Sequence, residues 1–211
     1  MQLRTKTIFV TAMLAIGWIA AVVWGLRTVM TYETTPGRIG TVPQGWPGSR
    51  IHRATDRMTL VMLAHPRCPC TRASIGELAQ IMARTQGKVR AYVLFLKPSE
   101  SGVDWEDTEL WRKAAAIPGV TVLTDVNGAE ARRFGVETSG HTLLFGSDGR
   151  LLFNGGVTQS RGHSGDNAGE DAIVALVNDH AAGLSRTFVF GCSLFNHTKT
   201  ETVASLRCKK T

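Results

Sequence analysis

Residues 59–82 read TLVMLAHPRCPCTRASIGELAQIM, and the fold turns on this stretch. Its first half, Leu60 to Ala64, is a short, wholly apolar run, which predicts a central strand buried on both faces. In its second half Ile75, Leu78, Ala79 and Met82 fall at i, i+3, i+4 and i+7, the apolar face of a helix. Between them stands His65-Pro66-Arg67-Cys68-Pro69-Cys70. Two cysteines one residue apart at a strand-to-helix junction place their thiols beside the positive end of a helix dipole. That field favours thiolate over thiol, and the thiolate is both the nucleophile and the metal ligand. The site is therefore read as redox-active, metal-binding, or both.

Pro69, with φ fixed near −65°, suits the first helical position and makes Cys68 the N-cap. Cys68 then lies nearest the free backbone N–H groups, with Arg67 and Arg72 adding positive potential. Cys68 is the expected reactive thiolate and Cys70 its resolving partner. A disulfide across a single intervening residue closes a small, strained ring, and strained disulfides are labile. The alternative is two cysteines that simply pack at a helix start.

Working outward, Val89 to Leu96 predicts a second buried strand and Glu106 to Ala116 a helix. A third strand at Val120 to Leu123 and a short helix at Ala129 to Phe134, closed by Gly135, follow. Thr142 to Phe145 and Leu151 to Phe153 flank Asp148-Gly149, a hairpin signal. Glu170 to His180 supplies the last helix. The order β-α-β-α-β-α-β-β-α mixes parallel crossovers with a terminal hairpin and predicts the α/β class, with helices on both faces of a mixed sheet.

Upstream, Ile8 to Leu26 runs nineteen residues without a charge, enough at about 1.5 Å per residue to cross a roughly 30 Å hydrocarbon core. A cleaved signal peptide would have a shorter apolar region ending at a small-x-small site, and none follows Trp24. Residues 1–30 are read as an uncleaved anchor with the bulk of the chain in the periplasm or another exported space. Residues 31–54, with Pro36, Pro43, Pro47 and four glycines, are read as a tether. The formal net charge of +7 is dispersed, without a basic stripe interleaved with aromatics, which argues against nucleic-acid binding and for a surface facing an anionic bilayer.

The element order, with cysteines at the first strand-to-helix turn, resembles the thioredoxin fold over roughly residues 55–182. The passage RRFGVETSGHTLLFGSDGRLLFNGG, residues 132–156, looks like its later half. A closer resemblance is to the membrane-anchored RedB-like thioredoxin-fold proteins. It rests on the H-P-R-C-P-C motif, Thr138-Ser139-Gly140-His141, Arg161-Gly162-His163-Ser164-Gly165 and Val189-Phe190-Gly191-Cys192. The resemblance implies a protein thiol or disulfide as partner. Two departures stand out. The spacing is C-x-C where thioredoxin has C-x-x-C, and His141 stands where thioredoxin has a proline that faces the thiols and guides a substrate's backbone.

In that fold His141 should lie close to Cys68 and Cys70. Two thiolates and an imidazole suit copper, as in the similar Sco copper chaperones, whose cysteine spacing is however C-x-x-x-C. His141 is equally read as an acid–base partner of the thiols, or as a satisfied, partly buried histidine. His65 reads as loop packing. The polar insertion Thr158 to Gly169 predicts a surface loop, disordered or else capping the cysteines and exposing Arg161 and His163 to a partner. Cys192 and Cys208 fall in a C-terminal extension, residues 183–211. A structural role for Cys192 is preferred over a Cys192–Cys208 disulfide or a second redox station. The leading function is a membrane-tethered thiol–disulfide oxidoreductase working through Cys68 and Cys70, with no cofactor required. The alternatives are copper binding or delivery through Cys68, Cys70 and His141, and a scaffold.

Overall fold

The computed structural model describes residues 2–102, 104–105, 107–179 and 183–195. Cys208, Glu106 and His180 lie outside the described residues. The chain forms two units, one ending at Thr35 and one beginning at Pro36.

The first unit is a single helix, α1 (Gln2–Thr34). Within Arg4–Thr34 an 18-residue window reaches a mean hydropathy of 2.1, and the helix is long and apolar enough to cross a membrane. Its large side chains, Trp18, Ile19 and Trp24 among them, are exposed. An exposed apolar helix of this length is compatible with a membrane anchor.

In the second unit β1 (Met58–Ala64), α2 (Pro69–Thr85), β2 (Val89–Lys97), α3 (Glu109–Ala115), β3 (Val120–Val126), α4 (Ala129–Arg133), β4 (His141–Phe145), β5 (Leu151–Gly155) and α5 (Ala168–Asn178) follow in the expected order. One sheet runs β3-β2-β1-β4-β5. β1, β2 and β3 are parallel, whereas β4 is antiparallel to both β1 and β5. This is the thioredoxin-like arrangement: two crossovers and a terminal hairpin about a central β1.

β1 alternates between two cores, as successive strand residues must. Leu60, Met62 and Ala64 join Ile75, Leu78, Ile81, Phe95 and Ile173 beneath α2, α3 and α5. Val61 and Leu63 join Tyr92, Leu94, Phe134, Leu143 and Phe145 on the opposite face. There, among the described residues, the covering helix is the five-residue α4, too short to cover the sheet. Residues 36–54, expected as a tether, complete the cover. Trp46 stacks edge-on against Phe134 and Phe145 at 5.3 and 5.0 Å, and Ile51 and Ala54 are buried. The Pro/Gly content makes this segment irregular, but Val42, Trp46 and Ile51 have an open sheet face to bury against.

α4 owes its start to Asp125 at the end of β3. The buried carboxylate accepts from the backbone N–H of Glu130 (2.8 Å) and of Ala131 (2.9 Å). Asp125→Ala orphans both donors and is expected to cost about 2–4 kcal/mol, read as a lower denaturant midpoint at unchanged slope.

Candidate functional site

Cys68 is the N-cap of α2, extended at φ −84° and ψ 117°, with Pro69 opening the helix. Its own N–H is satisfied by the His65 carbonyl at 3.2 Å, and its carbonyl accepts from Thr71 N–H at 3.1 Å. The turn therefore places Cys68 at the helix N-terminus, where its side chain makes no capping hydrogen bond.

The surroundings of that sulfur are polar and ordered. Burial pushes the Cys68 thiol up, but hydrogen bonds from Cys192 and from the side chain and backbone of Thr71 outweigh it, and the net direction is down. The Thr71 hydroxyl also lies 2.6 Å from that of Ser139, which accepts from His65 N–H at 2.7 Å. Either hydroxyl can be the donor of that pair, and both are fully buried.

Cys192 is the residue whose position the sequence did not indicate. Its sulfur lies 2.8 Å from that of Cys68. Their pKa directions are opposite: Cys192 is pushed up to about 12, by burial first and then by its bond to Cys68. Near neutral pH Cys192 therefore keeps its proton. Cys70 is also raised, by burial and then by the charge on Cys68. All three cysteines are free.

The segment bearing Cys192 is laid across the loop before β4. Ser139 N–H donates to the Cys192 carbonyl (2.9 Å), Leu194 N–H to that of Glu137 (2.8 Å), and Thr138 and Ser193 form an antiparallel bridge. Gly191 permits this approach, because a Cβ there would lie 2.0 Å from the Ser139 carbonyl oxygen. Gly191→Ala is expected to lift the segment, remove the Cys192 hydrogen bond and raise the Cys68 pKa toward the ordinary thiol value. The pH dependence of Cys68 alkylation reads this.

Arg161 braces the segment by donating to the Gly191 carbonyl. Its charge also opposes the rise at Cys70 and Cys192. The arginines expected in that role are engaged elsewhere. Arg72 makes a fork with Glu109 at 2.9 and 3.0 Å, and Arg67 stacks on Trp105 at 4.1 Å. The 158–169 insertion is ordered by Gly165 N–H donating to Glu77 (2.9 Å) and by Asn167 capping α5. It presents Arg161 to the Cys192 segment and leaves His163 exposed.

His65 accepts Arg67 N–H on Nδ1 (3.1 Å) and stacks edge-on against Trp105, a loop-packing role. His141 pairs with Leu63 at the start of β4. It is fully buried, and its Nε2 lies 2.6 Å from Asn154 Oδ1 while Nδ1 has no partner. Burial lowers its pKa to about 4 against a smaller opposing effect of Asn154, so the ring is neutral, with Nε2–H donating. Among the described residues no group of three or more His, Cys, Asp or Glu is placed to hold a metal ion.

No family model matches the chain, and no curated protein matches it. Among solved structures, a hypothetical protein from Sinorhizobium meliloti 1021 overlays with a TM-score of 0.58 at 14% identity, over 73% of this chain and 94% of that one. An uncharacterized conserved protein from Geobacillus kaustophilus gives 0.56 at 17% identity, over 78% and 93%. A secreted Mycobacterium tuberculosis disulfide oxidoreductase gives 0.42 at 16%, over 59% and 82%. The sheet order, the crossovers and the terminal hairpin give this chain a thioredoxin-like fold.

Proposed function

We propose that this protein is a membrane-tethered thiol–disulfide redox protein working through the Cys68-Pro69-Cys70 motif, with Cys68 as its reactive thiol. The observation that carries this reading is the environment of Cys68. Its place at a helix N-terminus, the adjoining Thr71 and the Cys192 sulfur 2.8 Å away lower its pKa despite burial. A pair of cysteines that merely packed would need none of these. The strand-to-helix turn supplies the position and the residues around it supply the charge balance.

The oxidised full chain, in detergent micelles, is mixed with excess reduced glutathione. One glutathione disulfide per chain is expected, and formation of none overturns the reading. The apolar helix α1 supports single-pass anchoring, with the redox domain in the periplasm or another exported space. After mild reduction, a membrane-impermeant maleimide should then label Cys192, which is only partly buried, in intact cells. Labelling only after lysis would place the domain on the other side.

Copper binding through Cys68, Cys70 and His141 has less support. Two thiols suit Cu(I), but His141 is bound to Asn154 within the core, and the groups acting foremost on the thiols are Thr71, Arg161 and the thiols themselves.

A further inference from the structure

We propose that Cys68 and Cys192 form the working disulfide of this protein, that Cys70 stands outside the bond, and that Cys192 presents the sulfur a partner thiolate attacks. The proposal rests on the redox reading above and assigns its second cysteine.

The two sulfurs, 124 residues apart in sequence, already lie 2.8 Å from each other. Closing that gap to an S–S bond of about 2.04 Å takes a movement of about 0.8 Å. The approach is built by the backbone. Along residues 187–195 the Val189 carbonyl accepts from Gly37 N–H (2.7 Å), the Phe188 carbonyl from Gly156 N–H (3.2 Å) and the Cys192 carbonyl from Ser139 N–H (2.9 Å). Val189 and Leu194 are buried on either side of Cys192, and Arg161 holds the Gly191 carbonyl between them. A cysteine with only a packing role would not need its segment tied to three separate parts of the domain with its sulfur directed at Cys68. A bond from Cys68 to Cys70, in contrast, would close a strained ring across Pro69, which the helix start already fixes.

Accessibility decides which sulfur meets a partner. Cys68 is 1% exposed and Cys70 6%, whereas Cys192 is only partly buried. The Cys192 segment lies over Cys68 much as an extended peptide would dock on the loop before β4, with antiparallel backbone pairing at Thr138 and Ser193. A partner therefore meets Cys192 first.

The steps balance as follows. In the oxidised protein a partner thiolate attacks Cys192 Sγ, an S–S bond forms between partner and Cys192, and the Cys68–Cys192 bond breaks. Cys68 leaves as the thiolate already favoured by Thr71 and the helix N-terminus, and a low-pKa thiol is the faster leaving group. A second partner thiolate then attacks the partner sulfur of the mixed disulfide. Its S–S bond to Cys192 breaks, and Cys192 leaves and takes up a proton. The partner dithiol loses two electrons and becomes a disulfide, and the Cys68–Cys192 disulfide gains them.

Mass mapping of the full chain tests this. The protein, with Cys208→Ser to remove the fourth thiol, is equilibrated in detergent with oxidised glutathione, alkylated and cut with trypsin. Cleavage after Arg67, Arg72, Arg186 and Lys199 leaves Cys68 and Cys70 on one peptide and Cys192 on another. The two peptides are expected to appear linked, and to remain linked in Cys70→Ser. In Cys192→Ser, Cys68 should instead carry one glutathione. A Cys68–Cys70 disulfide with Cys192 alkylated would overturn the assignment and leave the redox function standing. Cys68 alkylated in every variant, with neither bond nor glutathione, would overturn both.

Discussion

Cys68→Ser is expected to reduce exchange with glutathione to the background of the uncatalysed reaction. The reason is electrostatic as well as chemical. Serine has no accessible thiolate, and the remaining thiols, Cys70 and Cys192, are both pushed up by burial. Neither can take over the role near neutral pH. Removing Cys68 also removes the negative charge that contributes to both shifts, so the Cys70 and Cys192 pKa values should fall in the variant without reaching that of Cys68. Glutathione disulfide formed per chain reads the loss, and the alkylation rates of the other two cysteines read the relaxation. Exchange that persisted in Cys68→Ser at more than a tenth of the original rate would assign the reactive thiol elsewhere.

The second large effect is on stability and depends on pH. His141 is neutral in the folded protein, with a pKa lowered from 6.5 to about 4 because the ring is buried and a proton on Nδ1 would have no acceptor. In the unfolded chain the same ring takes up a proton near pH 6.5. Between pH 6.5 and 4 the unfolded state therefore binds more protons, so stability falls as the pH is lowered through this window and levels off below it. A fall from 6.5 to about 4 is worth about 3 kcal/mol. His141→Gln keeps a donor for Asn154 and removes the titration. Its unfolding free energy should be flatter than the parent's by about that amount between pH 7 and 4. Parallel curves for the two proteins would mean that His141 is charged, or exposed, in the fold.

The parts of the fold legible in the sequence are those fixed by local pattern. The apolar run before His65 and the i, i+3, i+4, i+7 spacing after Cys70 gave β1 and α2, and Pro69 gave the cap at Cys68. Asp148-Gly149 gave the hairpin. What was hidden depends on long-range pairing. Cys192 reaches Cys68 only because residues 192–194 pair with residues 137–139, and neither segment has an alternating pattern to announce it. Gly191-Cys192 was the one available signal, a glycine required by close approach to the Ser139 carbonyl. Arg161 was singled out as exposed, but its place against Gly191 follows from the same pairing. Arg67 and Arg72 were given a role in the field at the thiols because they are near in sequence. The structure engages them with Trp105 and Glu109, both beyond the reach of a local reading.

His141 illustrates the intermediate case. Its position at the start of β4 was readable, since the hairpin fixes where that strand begins. Its partner was not, because Asn154 comes from β5 and reaches the ring through the register of β4 on β5, in which Leu143 faces Asn154. The segment 36–54 was misread for a related reason. Composition marks it as irregular, but whether an irregular segment packs depends on what surface awaits it, and the short α4 leaves that surface open.

The measurement that bears most directly on this account is the thiolate titration of the reduced full chain. Ultraviolet thiolate absorbance is followed against pH in the parent and in Cys68→Ser, and the first thiolate to form in the parent and missing from the variant is that of Cys68. The account predicts that this thiolate titrates below the ordinary cysteine value of about 8.5. A thiolate titrating at or above that value would show that burial, rather than the helix N-terminus and the Thr71 and Cys192 donors, governs Cys68, and would contradict the central claim.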